Sequence, residues 1–219
     1  MKNINNEIME YINKIGFNNL LILNLQWNSI HNLAALEIIK LSKLKILNLD
    51  FNNISEINFI GKFNLVNLKE LYLRDNKIVD IKAFEDIKFE NLEKLDLSRN
   101  KIKVINISKK MNFLKLKELN LSNNGLTDIG SLCHLIFEQL EKLLMHNNEI
   151  VDINVLEKLN LKELKELCLN VNKISDINAL GRIKFKNLIK LDLMSNPLND
   201  GLCSDTISQL KKNIHQFYK

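Results

Sequence analysis

"LKELYLRDNKI", residues 68–78, is followed 24 residues later by "LEKLDLSRNKI", residues 92–102, and 24 residues after that by "LKELNLSNNGL", residues 116–126. Each stretch places leucine at its first, fourth and sixth positions and asparagine at its ninth. Aligning the chain on itself extends this pattern to eight units of 24 residues, which we number from position 1 at the first leucine. The units begin at Leu20, Leu44, Leu68, Leu92, Leu116, Leu140, Leu164 and Leu188.

The first residues of each unit predict a short β-strand. Positions 3–7 alternate between polar and apolar residues, which is the period of a strand with one buried face. One strand cannot bury its own leucines, but stacked units form a parallel sheet over a continuous core. The pattern therefore predicts an α/β solenoid with the sheet on one side and short helices or helical turns on the other.

Position 9 is asparagine in all eight units. The chain must turn after the strand, which leaves backbone donors and acceptors without partners in the sheet. A buried asparagine side chain supplies two donors and an acceptor, so it can satisfy these groups. We predict that the eight asparagines form a ladder that bonds to the main chain of neighbouring units.

Position 13 is acidic in most units, and apolar residues follow it at helical spacing. We interpret these acids as caps of short helices on the convex side. A cation site formed by Asp128, Asp152 and Asp176 is the alternative, and capping explains the same residues more simply. The acids are Glu56, Asp80, Asp128, Asp152, Asp176 and Asp200.

The repeated LxxLxLxxNxI pattern over residues 20–199 resembles that of the leucine-rich repeat family. The short apolar convex segment is most similar to the internalin class and to the phosphatase-regulatory-subunit class. The resemblance implies a right-handed β/α horseshoe with a concave parallel sheet. It also implies that binding takes place on that concave face.

Charges at positions 2 and 3 alternate in sign from one unit to the next. Position 2 reads Lys69, Glu93, Lys117, Glu141 and Lys165, and position 3 alternates in the opposite phase. Because adjacent parallel strands lie about 4.8 Å apart, each charge is expected beside its opposite. We predict a register device that reflects a duplicated unit of 48 residues.

The ends of a solenoid expose leucines and need caps. We predict a single domain over 1–219, with an N-terminal capping helix at 1–19 and the eight repeats at 20–199. A C-terminal capping helix is predicted over 200–219, starting at Ser204 or Asp205. Its buried face would carry Ile207, Leu210, Ile214 and Phe217.

Composition excludes several classes of function. The net charge of +5 is carried by lysines mixed with acids, so nucleic-acid binding is disfavoured. No apolar run reaches the roughly 18 residues of a membrane span. The three cysteines lack metal or disulfide spacing, which favours a reducing compartment. The four histidines form no metal motif and no phosphate loop occurs, so we predict neither an enzyme nor a cofactor.

Outward positions 5, 7 and 8 of the strands vary most, and the fold does not dictate their identity. Aromatic and arginine side chains, the types that dominate protein interfaces, are concentrated in the N-terminal half. A purely structural role, in which Trp27 and Phe51 pack on each other, is the alternative. The candidate binding residues are Trp27, Asp50, Phe51, Tyr72, Arg74, Asp75, Asp96, Arg99, Leu144 and His146.

The sequence therefore predicts a monomeric, non-catalytic scaffold that binds a protein partner on the concave face. We expect an intracellular, cytoplasmic adaptor or enzyme regulator, in keeping with the phosphatase-regulatory resemblance. The alternative is a secreted or surface recognition protein similar to the internalins.

Overall fold

A computed structural model of the protein describes residues 19–33 and 41–219. The predicted N-terminal capping helix lies outside the described residues, apart from Asn19. Among the described residues, no helix combines the length and apolar character that a membrane crossing requires.

The strands confirm the stacked parallel arrangement. In the described residues the strands are β1 Ile22–Asn24, β2 Ile46–Asn48, β3 Glu70–Tyr72, β4 Lys94–Asp96, β5 Met111–Phe113, β6 Glu118–Asn120, β7 Leu135–Phe137, β8 Lys142–Leu144, β9 Glu166–Cys168, β10 Lys190–Asp192 and β11 Gln216–Tyr218. Nine of these strands form one sheet in the order β1-β2-β3-β4-β6-β8-β9-β10-β11, and all neighbours in it are parallel. Each leucine at position 4 lies beside its equivalent in the next unit, and Leu191 lies beside Phe217. β5 and β7 form a second, two-stranded parallel sheet on the returning side of the units.

The core runs along the whole stack. From the second unit onward the leucines at positions 4 and 6, such as Leu71 and Leu73, are buried, whereas Leu23 and Leu25 of the first unit are half-buried. On the returning side, Phe89, Phe113 and Phe137 occupy equivalent positions and form a spine with ring centroids 5.7 and 6.3 Å apart. Equivalent side chains of adjacent units bury each other, so the stability of each unit depends on its neighbours.

The asparagine ladder is confirmed for seven of the eight asparagines. The eighth, Asn28, is exposed, and within the described residues its Nδ2 donates to Leu25 O and Gln26 O of its own unit. Asn76 Nδ2 donates to the carbonyl of Leu73 in its own unit and to that of Leu49 in the preceding unit, at 3.1 and 2.9 Å. Its Oδ1 accepts the backbone N–H of Ile54 at 3.0 Å. The same bonds between units are made by Asn52, Asn100, Asn124, Asn148, Asn172 and Asn196. The amides thus replace the sheet partners that the backbone loses at the turn.

Short helices cover the convex side. In the part of the chain that the structure describes, four are 3₁₀ helices and one, α1, which spans Asn178–Arg182, is α-helical. Before four of these five helices, an aspartate side chain at position 13 accepts the N–H of the first helical residue, as Asp80 Oδ1 does from Lys82 at 2.6 Å. The N-cap of each helix is the isoleucine at position 14, such as Ile81, so the predicted N-cap position was wrong by one residue. The four aspartates still bond the start of the helix from the residue before the cap, whereas Asp200 is the first residue of a longer helix. The 3₁₀ helices are Asn58–Lys62, Lys82–Asp86, Gly130–His134 and Asn154–Lys158, and α1 is Asn178–Arg182.

The C-terminal prediction was wrong in part. Helix α2 spans Asp200–Asn213, and its cap is Asn199, whose Oδ1 accepts the N–H of Leu202 at 3.1 Å, not Ser204 or Asp205. The helix does not continue to residue 219 because β11 pairs with β10, where Gln216 N–H bonds Ile189 O at 2.9 Å. Phe217 therefore lies on a ninth strand and not on the predicted helix.

Cross-strand ion pairs confirm the predicted charge alternation. Glu93 lies between two lysines of the neighbouring strands, 2.7 Å from Lys69 Nζ and 2.9 Å from Lys117 Nζ. These two lysines hold the pKa of Glu93 below its usual value. Equivalent pairs join Lys94 to Glu118, Lys165 to Glu141 and Lys190 to Glu166.

Candidate functional site

The turn out of each strand has one backbone geometry. Every residue at position 8 has a positive φ, between 54° and 62°, although none is glycine. This left-handed conformation swings the chain away from the sheet in the same way in each unit. The column consists of Trp27, Phe51, Asp75, Arg99, Asn123, Asn147, Val171 and Ser195.

The first six side chains at position 8 contact each other in successive pairs along the stack. Trp27 stacks on Phe51 with ring centroids 3.9 Å apart and planes 3° apart. In the next two units, Arg99 Nε donates to Asp75 Oδ2 at 2.7 Å. Asn147 Nδ2 then donates to Asn123 Oδ1 at 2.7 Å. Four of the predicted binding residues therefore meet as two neighbouring couples at this edge of the sheet.

The aromatic couple is extended by a cation. The Arg74 guanidinium lies over the ring of Phe51, 5.5 Å from its centroid. Trp27 remains 69% exposed despite its contact with Phe51. The structural role expected as the alternative for these two residues is therefore present, yet it leaves a large aromatic surface open to solvent. We call Trp27, Phe51 and Arg74 the aromatic stack.

Asp50 fixes the backbone of Arg74, one member of the aromatic stack. Its Oδ1 accepts the backbone N–H of Arg74 at 2.7 Å, which holds the two units together at this edge. Burial raises the pKa of Asp50 from 3.8 to about 6, and the nearby Asp96 adds to the increase. Arg74 and Lys94 act in the opposite direction and limit the shift.

Tyr72 and Asp96 are direct neighbours on β3 and β4. The Tyr72 hydroxyl donates to Glu70 Oε2 at 2.7 Å, and Lys94 Nζ lies 5.5 Å from the centre of its ring. Burial and this bond raise the pKa of Tyr72 far above its usual value. Asp96 is buried and accepts the N–H of Ser98 at 2.8 Å. Much of the polar surface of both side chains is therefore already in use within the protein.

Leu144 and His146 belong to the same face but lie apart from the aromatic stack. They are in the sixth unit, where Leu144 lies beside Asn120 and Cys168 on the adjacent strands. The ring of His146 is 3.4 Å from Asn123 Nδ2, and burial lowers its pKa. The predicted set thus divides into an N-terminal group and a separate pair.

Beyond that pair the face becomes apolar. Val171 at position 8 of the seventh unit, Met194 at position 7 of the eighth, and Tyr218 on β11 beside Asp192 are all more than 40% exposed. Tyr218 was missed as a candidate because residues 200–219 were predicted to be helical. The ninth strand places it on the sheet.

The described residues hold no cluster of side chains suited to a metal ion. All three cysteines are free, with Cys133 exposed and Cys168 and Cys203 buried. Burial raises the pKa of Cys168 to about 12, so its thiol stays protonated at neutral pH. The arrangement offers stacking surface and charge for binding and provides no activated thiol at this position.

Sequence comparison identifies leucine-rich repeats in the middle of the chain. The family described as "Leucine Rich repeats (2 copies)" matches residues 66–114, and the one described as "Leucine Rich Repeat" matches residues 115–135. No curated protein matches the chain.

Solved structures extend the likeness to most of the chain. Internalin C2 of Listeria monocytogenes is 28% identical, with a TM-score of 0.60 over 78% of this chain and 70% of that one. The functional domain of InlJ from the same organism is 25% identical, with a TM-score of 0.55 over 82% of this chain and 40% of that one. The plant peptide hormone receptor RGFR1, solved in complex with RGF2, is 22% identical and shares the fold, with a TM-score of 0.53 over 84% of this chain and 34% of that one. The chain thus spans well under half the length of the last two.

Proposed function

We propose that this chain, a leucine-rich repeat protein whose fold resembles that of the internalins, is a non-catalytic scaffold that binds a protein partner on its concave face. The observation that carries the proposal is the aromatic stack. Tryptophan, tyrosine and arginine supply most hot spots of protein interfaces. Here two aromatic rings and a guanidinium are held together with the tryptophan largely exposed.

The rigidity of the face supports the same proposal. Asp50 anchors the backbone of Arg74, and Asn76 anchors the turn that follows it. Side chains that are already ordered lose little conformational entropy when a partner binds, so more of the contact energy appears as affinity. Binding by a preordered row of side chains needs no change in the backbone of the repeats.

Capture from a lysate of the source organism tests the proposal. The immobilised protein is compared with a triple variant, Phe51→Ala, Tyr72→Ala and Arg74→Ala. A matched control, Val79→Ala, Lys101→Ala and Val151→Ala, alters three exposed residues away from the strand face. We expect one protein to be retained by the wild type and the control and lost from the triple variant, with a dissociation constant at least tenfold weaker. Equal retention by all three proteins would contradict binding on this face.

The cellular setting that we propose is intracellular, where the protein acts as an adaptor or enzyme regulator. Three free cysteines support this setting because oxidising compartments favour disulfide formation. The second candidate is a secreted or surface recognition protein, and the likeness to internalin C2 favours it. Fractionation of the source cells with a specific antibody separates the two. We expect the protein in the cytosol, and its recovery from the medium or cell surface would support the second candidate.

A further inference from the structure

The net positive charge of the protein is concentrated in its C-terminal segment. Residues 158–219 contain eleven basic and six acidic residues, and this excess of five equals the net charge of the whole chain. Five of the basic residues form ion pairs with acids. Six lysines of this segment have no ion pair within the described residues: Lys158, Lys162, Lys184, Lys186, Lys211 and Lys212.

A groove of about 390 Å³ lies between the convex segment of the seventh unit and helix α2. Ile183 and Phe185, both half-buried, line it together with the buried Leu210 and Ile214. The exposed side chains of Lys184 and Lys186 also line it, and no acidic residue does. The groove therefore has an apolar part, the amide side chains of Gln209 and Asn213 on the α2 side, and positive charge at its border. We call it the C-terminal groove.

An equivalent groove in the middle of the solenoid has a different charge. Four units earlier, Ile87, Lys88 and Phe89 occupy the positions of Ile183, Lys184 and Phe185 and line a groove of about 630 Å³. There, Glu90 stands at the position of Lys186, and Glu85 stands at the position of Gly181. The same fold thus accepts an acid at the position of Lys186, so packing does not require a lysine there, whereas the position of Lys184 is basic in both grooves.

Other basic residues nearby have structural explanations. Arg182 forms an ion pair with Glu157. Lys211 and Lys212 lie in the last turn of α2, where positive charge complements the helix dipole. Neither explanation applies to Lys184 and Lys186, which follow α1 in an irregular segment. Lys184 and Lys186 are therefore the basic residues of the groove that are available to a binding partner.

We propose that the C-terminal groove docks an acidic segment of a partner protein, with apolar side chains of the segment on Ile183 and Phe185 and its carboxylates against Lys184 and Lys186. Charge complementarity selects an anionic occupant. The apolar lining selects a protein segment, because sugar-phosphate chains and lipid headgroups present no aliphatic side chains to fill it. This surface uses none of the residues of the aromatic stack, so it stands independently of the concave site.

Fluorescence anisotropy with a defined probe tests the proposal. The probe is a labelled peptide of four Glu-Glu-Leu repeats, and a second peptide has serine in place of each leucine. The test variant is Lys184→Glu with Lys186→Glu, and the control is Lys88→Glu with Lys110→Glu, which changes the net charge equally. Glu90 already occupies the position equivalent to Lys186, so the test variant should fold, as circular dichroism can verify.

We expect the test variant to bind the leucine peptide at least tenfold more weakly than the wild type, since two attractive charges become repulsive. The control, and the triple variant at Phe51, Tyr72 and Arg74, should bind within about twofold of the wild type. The serine peptide should also bind more weakly to the wild type than the leucine peptide does.

Three results would overturn the proposal. The first is equal loss of binding in the test and control variants, which would reduce the effect to net charge. The second is absence of binding of the leucine peptide. The third is tighter binding, through the same two lysines, of a thymidine oligonucleotide or of phosphatidylcholine vesicles containing phosphatidylserine, which would make the occupant a nucleic acid or a membrane.

Discussion

Residues at position 8 share a left-handed backbone conformation but carry different side chains. Asparagine tolerates the left-handed region, as at Asn123 and Asn147, because its short polar side chain can bond locally. Val171 adopts the same region with φ of 57°, although a β-branched side chain is disfavoured there. A strained residue that remains exposed on the concave face is a position where stability and surface chemistry compete.

Replacing Val171 with asparagine should stabilise the protein. Removal of the unfavourable valine conformation is worth about 1 kcal/mol, and the side chain is exposed, so little packing is lost. The reciprocal change, Asn147→Val, should destabilise the protein by at least as much. Urea unfolding measures the free energy of unfolding of both variants against the wild type. A Val171→Asn protein no more stable than the wild type would show that the backbone strain is relieved in some other way.

Asp50 should make stability depend on pH in an unusual direction. Its pKa is raised to about 6 in the folded protein, whereas an aspartate in an unfolded chain titrates near about 3.9. Between these values the folded state binds a proton that the unfolded state releases, so the stability contributed by this group falls as pH rises.

The variant Asp50→Asn removes this titration, and its amide oxygen can still accept the N–H of Arg74. We expect the free energy of unfolding of the variant, relative to the wild type, to increase between about pH 4 and pH 6 and to be flat outside that range. Urea titrations at several pH values measure the difference. A difference that is constant across the range would place the pKa of Asp50 near its ordinary value.

At the scale of elements, the side chain at position 13 assists the closure of a convex segment into a helix. Asp80, Asp128, Asp152 and Asp176 each accept an N–H at the start of a short helix. Val104 occupies the same position and offers no acceptor, and the residues after it form no helix. Val104 instead makes a parallel bridge with Asp128. Because Glu56 precedes a helix without such a bond, the aspartate assists helix formation and is not required for it.

Removing one of these acceptors should cost a measurable amount of stability. In Asp152→Ala, the N–H of Asn154 loses its partner at 2.7 Å, and the expected loss is about 1 kcal/mol, as for other helix caps. Asp152→Asn keeps an acceptor oxygen and should lie within a few tenths of a kcal/mol of the wild type. Unfolding in urea compares the three proteins. Equal stability of the alanine and asparagine variants would show that the bond contributes little.

For the whole molecule, charge pairs between units help to hold the stack in register. Glu93 connects the third and fifth units through Lys69 and Lys117. A slip by one unit would place like charges beside each other, which disfavours misregistered stacking. The alternation therefore contributes to specificity as well as to stability.

The variant Glu93→Lys should place three lysines on adjacent strands and lower stability by about 1–2 kcal/mol at low salt. Because screening weakens repulsion between exposed charges, about 0.5 M NaCl should recover much of the loss. Glu138→Lys changes the net charge equally at an exposed position with no ion pair in the described residues, and it should have little effect. A loss in Glu93→Lys that is insensitive to salt would indicate a packing defect instead of repulsion.

The candidate site was only partly predictable. The repeat period predicts which columns face outward, so Trp27, Phe51 and Arg74 could be placed on the outward face from the sequence, and their role in binding stays a prediction. It says nothing about Lys184 and Lys186, which lie on the returning side of a unit. The excess of positive charge in residues 158–219 is visible in the sequence. Only the structure shows that two of these lysines line a groove beside α2.

The sequence alone determined the stacking, the direction of the leucines and the role of the asparagines, because each follows from a short period repeated in every unit. Tertiary structure decided where the pattern stops and which outward side chains meet. Asn199 caps the last helix five residues before Ser204. Phe217 joins the sheet because the exposed edge of β10 offers hydrogen bonds that a longer helix would leave unmade. The contact between Trp27 and Phe51, and the division of position 8 into couples, depend on side-chain conformations that a period does not specify.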